Sequence, residues 1–149
     1  MMKQGGLLVY CDNEALREIL QSLGIGAVDE LNPTVDVVII NKKEDADRHR
    51  HNSYLIIDRM MDGRELMGEI IRTVDKLEFD VLNKLGVRDV SNSGRRILVW
   101  LDQAGLTGIS PAELEGRVGG RNNLRTAIHA LRKSVDIIFA DGVYRLAKI

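Results

Sequence analysis

The chain has 149 residues, 44% apolar and 29% charged, and its 21 Lys/Arg nearly balance 22 Asp/Glu for a formal net charge of −1. This composition belongs to folded globular proteins and excludes a disordered charged tail. The single cysteine, Cys11, excludes an internal disulfide and a cysteine-based zinc site, and no apolar run approaches the ~20 residues of a membrane span. The amino terminus lacks the apolar core of a signal peptide, so the expected compartment is the cytoplasm. The near-neutral total hides an asymmetry: residues 1–85 hold 11 Lys/Arg against 16 Asp/Glu, and residues 86–149 hold 10 against 6. An acidic half joined to a basic half predicts two modules, of which the second suits a polyanion.

Leu7–Cys11 is a short apolar run ending in Asp12-Asn13, a helix-capping pair. Ala15, Leu16, Ile19, Leu20 and Leu23 then recur at helical spacing up to Gly24. Val35–Ile40, entered through Asn32-Pro33, and Tyr54–Ile57 are the next buried-strand candidates. Val/Ile-rich strands separated by a helix predict a small parallel α/β layer. Between the last two strands, Asp45, Asp47, His49 and His51 alternate along the chain, so an extended backbone would point all four to one side, as divalent-metal ligands require. Interleaved Lys42, Lys43, Arg48, Arg50 and Asn52 favour a solvated polar loop there, and no metal or other cofactor is expected.

Asp62 with Glu65 makes a capping-box start. Met67, Ile70, Val74, Leu77 and Val81 repeat at steps of three and four until Gly86. This predicts a connecting helix over 64–85, roughly 33 Å long at 1.5 Å per residue. Its stripe suits either a two-helix seam between copies or docking against its own α/β layer. Beyond a polar break, Arg95–Ala104 is helix-like. Ser110-Pro111-Ala112-Glu113 caps a short helix that ends at Gly119-Gly120, and a basic helix begins near Asn122. Asp136–Ala140 and Val143–Ala147 flank Asp141-Gly142, the pair favoured by a type I′ hairpin turn.

Between Gly116 and Val135 stand Arg117, Arg121, Arg125, His129, Arg132 and Lys133, and no carboxylate. At about 100° per residue, Arg121, Arg125, His129 and Arg132 share a sector of roughly 80°. Leu124, Ala127, Ile128, Leu131 and Val135 form a separate apolar arc. A helix of this kind can rest on a core while turning cations toward phosphates and longer polar side chains toward base edges.

Two stretches resemble known families. Leu7–Arg17 resembles the first strand and acidic corner of a response-regulator receiver domain. The phospho-acceptor strand of that resemblance is either Leu55-Ile56-Ile57-Asp58, with Asp58 as acceptor, or Val35–Asn41, with Asn41 in the acceptor's place. Receivers also need a hydroxyl residue and a lysine on later strands, and the connecting helix begins before those strands occur. The resemblance therefore implies a truncated receiver used for assembly and not controlled by phosphorylation. Over residues 95–149 the chain resembles the DNA-binding domain of OmpR/PhoB-type response regulators. Ile109-Ser110, Glu113-Leu114, Val118 and Gly120 look like that family's second helix, Leu124, Ile128 and Leu131-Arg132-Lys133 like its recognition helix, and Tyr144-Arg145-Leu146 like its last strand. The family's longer loop before the recognition helix, used to touch RNA polymerase, is here only a Gly-Gly turn.

The expected fold class is thus α/β + α: a receiver-like parallel α/β domain over 1–62, a connecting or dimerisation helix over 63–86, and a winged helix-turn-helix domain over 87–149. The expected function is regulation of transcription by a homodimer that binds double-stranded DNA, with no enzymatic activity, membrane or small-molecule substrate. Asn122, Asn123, Arg125, Thr126 and His129 are the candidate base readers. Arg121, Arg132, Lys133 and Arg145 are the candidate phosphate contacts, with Arg95, Arg96 and Lys148 as lesser ones. Two other readings stand beside it. In one, the winged helix docks a partner protein; in the other, a small enzyme or metal protein is built on residues 45–51.

Overall fold

The computed structural model describes residues 6–40, 54–56 and 61–147. The chain divides into two compact units between Leu77 and Glu78.

The first unit is a four-stranded sheet of order β2-β1-β3-β4 whose neighbours all run parallel, as the Val/Ile-rich runs predict. β1 (Leu8–Cys11) and β3 (Val37–Ile40) lie at its centre, β2 (Gly26–Val28) and β4 (Tyr54–Ile56) at its edges. Strand alternation sends Val9, Cys11, Val37 and Ile39 to one face, where they pack with Leu20 of α1 (Glu14–Ser22) and with Leu66 and Ile70 of α2 (Gly63–Leu85). Val35, Val38 and Ile40 form a second buried cluster with Leu8, Tyr10 and Val28. Burial on both faces explains why β3 reads as a continuous apolar run.

Local signals place the helix ends. The Asn13 side chain accepts from the Leu16 amide at 2.9 Å, and the Asp62 carboxylate accepts from the Glu65 amide at 2.8 Å. Gly24, at φ +83°, turns the chain out of α1, and the Arg17 guanidinium donates to the Cys11 carbonyl at 2.7 Å. The Cys11 thiol is buried, and loss of hydration pushes its pKa above the usual range.

Two features of this unit differ from the expectation. β2 was not foreseen, because three residues beginning with glycine carry too short a pattern. The third strand starts at Val37 instead of Val35, because Asp36 serves as an anchor at its entry: its carboxylate accepts from the Leu8 amide at 2.9 Å while its own amide donates to the Leu8 carbonyl at 2.8 Å.

Helix α2 begins and ends where its caps predict, but the unit boundary falls inside it. Leu66 and Ile70 are buried in the core of the first unit, and Val81, which belongs to the second, is also buried. Leu66 and Ile70 of the stripe thus pack on the chain's own α/β layer, while Ile71 (43%) and Phe79 (64%) are exposed on the same helix. Among the described residues no helix is long and apolar enough to cross a membrane.

The second unit contains α3 (Asn92–Ala104), a 3-10 turn at Gly105–Thr107, α4 (Pro111–Val118), α5 (Arg121–Leu131) and the antiparallel hairpin β5 (Ile137–Ala140) and β6 (Val143–Leu146). α3 starts three residues before Arg95 because Ser91 caps it, its hydroxyl accepting from the Gly94 amide at 3.0 Å. Ile97, Leu98, Trp100 and Leu101 of α3, Leu114 of α4, and Ile128 and Leu131 of α5 are buried, together with Leu146 from the hairpin. Gly94 permits close helix contact: a Cβ there would lie 3.2 Å from Leu131 Cδ2 and 2.6 Å from Val90 Cγ1. Asp141 and Gly142 both take positive φ, +55° and +81°, as the type I′ turn requires. Ile109 exchanges two backbone hydrogen bonds with Tyr144, at 2.9 and 2.8 Å, which adds a third, one-residue strand contact to the hairpin.

Lys84, near the end of α2, forms an ion pair with Asp102 of α3, whose side chain is only 6% exposed. Lys84→Ala leaves that carboxylate without its cation, and the expected cost is about 1–3 kcal/mol of stability in urea unfolding. Adding Asp102→Asn should recover most of the loss, whereas equal stability of the single variant and the parent would show that the pair contributes nothing.

Candidate nucleic-acid interface

α5 is built to show one face. Leu124, Ala127, Ile128 and Leu131 recur at three- and four-residue steps and are buried, which fixes the rotation of the helix about its axis. The other side then carries Arg121, Asn122, Arg125, Thr126 and His129, with Arg132 and Lys133 just past the helix end, all exposed. Among the described residues, none of Arg121, Arg125, Arg132, Lys133 and Arg145 enters an ion pair. The band therefore combines exposure, positive charge and an absence of carboxylates from Gly116 to Val135.

The turn before α5 sets where this face begins. α4 ends with Gly119 in the left-handed region (φ +87°, ψ +25°), and Gly120 follows at φ +122°, ψ +174°, a conformation confined to glycine. Two residues thus suffice to separate the helices. Whereas Asn13, Ser91 and Ser110 cap their helices with side chains, α5 starts at Gly120 with no side-chain cap and no acid in its first turn.

The predicted site residues do not all end up in one role. Asn123 is a correction. Its amide NH2 donates to the carbonyls of Val118 (3.0 Å) and Gly119 (3.3 Å), so it closes the carboxyl end of α4 and is no free bidentate reader of adenine. Arg132 is tied in part: its Nε donates to the Ile137 carbonyl at 3.2 Å, and its guanidinium carbon lies 6.0 Å from the Tyr144 ring centroid. Arg145 pairs with Ile138 across the hairpin. Alternation puts it on the opposite face from Tyr144 and hence apart from the Arg132 end of the band. Arg121, Asn122, Arg125, Thr126 and His129 lie together along α5, as their spacing predicts, and Lys133 follows in the turn beyond its end.

Two arginines serve packing more than the band. The guanidinium carbons of Arg96 and Arg117 lie 5.3 and 4.8 Å from the ring centroid of the buried Trp100. This cation–π arrangement joins α3 to α4. The four-residue spacing of Arg96 and Trp100 was the signal in the sequence; Arg117 had none. Arg95 is bonded to Asn92 one turn away. The phospho-acceptor candidates Asn41 and Asp58, the group Asp45, Asp47, His49 and His51, and Lys148 lie outside the described residues.

No protein-family model, curated protein or solved structure matches this chain.

Proposed function

We propose that this chain is a DNA-binding regulator of transcription whose second unit is a winged helix-turn-helix, with α5 seated in the major groove. One observation carries the reading: α5 buries its apolar arc and exposes a cationic face that, among the described residues, enters no ion pair. The element order supports it, since the Ile109–Tyr144 strand contact precedes a capped helix, a two-residue turn, a second helix and a hairpin. Asn122, Arg125, Thr126 and His129 read base edges, while Arg121, Lys133 and the free end of Arg132 hold phosphates. The first unit serves as a receiver-like assembly module without phosphorylation control, and two copies of the chain bind paired half-sites about 34 Å apart.

Selection of bound duplexes from a random pool, followed by a salt titration on the selected site, tests the proposal. With three phosphate cations per copy, log K should fall against log salt with a slope of roughly −3 per copy. Failure to enrich any duplex, or an affinity indifferent to salt, would remove the DNA reading and leave a winged helix that docks a protein partner.

A further inference from the structure

The hairpin carries an exposed aromatic group that phosphate contact does not explain. Phe139 on β5 is 52% exposed, and its ring lies 4.9 Å from that of Tyr144, the residue paired with it on β6. The Tyr144 ring in turn faces the guanidinium of Arg132, just past the end of α5. Cationic band, Tyr144 and Phe139 therefore form one continuous surface, with Arg132 as the link. Acids stand close by: Asp141 occupies the hairpin tip, and Asp136 precedes β5. A tip bearing a carboxylate repels phosphates, so what the hairpin has to offer nucleic acid is the face of a ring. Bases inside an intact duplex already stack on both neighbours. A base at the end of a paired segment, or just beyond it, has a face to share with an aromatic side chain.

We infer that Phe139 is a stacking platform for an unpaired base, and that the chain recognises a junction between duplex and single-stranded DNA, with α5 on the duplex and the Phe139–Tyr144 pair on the first unpaired base. The inference rests on the proposed DNA-binding function and narrows its substrate class. Arg132 positions the platform by holding Tyr144, and Asp141 keeps the backbone of the single strand away from the tip.

Fluorescence anisotropy with the full chain decides the matter, using the selected site embedded well inside a longer duplex and the same site placed beside a single-stranded tail. The tailed DNA should bind about tenfold more tightly, and Phe139→Ala should remove that preference while leaving affinity for the interior duplex site within about twofold. Phe139→Trp should restore it, and 2-aminopurine at the first unpaired position should be quenched on binding to the parent but not to Phe139→Ala. Equal affinity of the parent for the two DNAs, or an equal loss on both in Phe139→Ala, overturns the junction inference and leaves duplex binding standing. Binding to neither DNA overturns the DNA-binding function itself. Unchanged circular dichroism of Phe139→Ala excludes a folding defect as the cause of its loss.

Discussion

Arg121→Ala combined with Arg125→Ala should weaken binding to the selected duplex by roughly 100-fold, about 2.7 kcal/mol, while the circular dichroism spectrum and the urea midpoint stay those of the parent. Both side chains are exposed, neither enters an ion pair among the described residues, and neither supports the core. Their removal therefore acts on the partner and not on the fold. Arg132 is a poorer choice for this experiment, because its Nε bond to the Ile137 carbonyl and its contact with Tyr144 hold the hairpin to the end of α5. A conservative companion separates charge from geometry. Arg125→Lys keeps the phosphate attraction but loses the planar fork, so it should retain non-specific binding and lose discrimination at one base pair. Duplex affinity that survives the double alanine variant would mean that α5 is not the binding element.

Gly108→Ala should destabilise the second unit by about 3 kcal/mol or more in urea unfolding. Gly108 sits at φ +72°, and a Cβ there would stand 2.6 Å from the Tyr144 carbonyl oxygen and 2.7 Å from Val143 Cγ2. That same carbonyl accepts from the Ile109 amide, so relief of the clash would pull apart the contact that seats the hairpin. Gly142→Ala is the matched control. It too has positive φ, +81°, but a Cβ there meets nothing within 4 Å, so only the backbone cost of roughly 1–2 kcal/mol remains. If the two variants lose the same amount, the close approach at Gly108 is absent in solution.

The elements that could be read from the chain are those whose cause is local. Helix α5 carries its own period, α4 its Ser110-Pro111 start, and the hairpin its Asp141-Gly142 turn, so each lies within a residue or so of where its pattern puts it. Elements whose partners are distant could not be read in this way. β2 exists because Gly26–Val28 finds β1, and the strand contact of Ile109 exists because Tyr144 arrives from 35 residues later. Asn123 looked like a base reader by type and position. What it bonds depended on how the Gly119-Gly120 turn folds the end of α4 back beside it.

The helices, the hairpin turn and the cationic band of α5 were determined by the amino-acid sequence alone, since spacing, capping residues and charge act over one or two turns of chain. Which way the stripe of α2 faces was a tertiary decision. The same apolar repeat serves a partner helix or the chain's own core equally well, and the packing of Leu66 and Ile70 against the first sheet assigns that part of it to the chain's own layer. The division of labour among the arginines was likewise decided by packing. Arg96 and Arg117 lie against Trp100 and Arg132 against Tyr144, while Arg121 and Arg125 are left to the solvent because the helix has buried its other side.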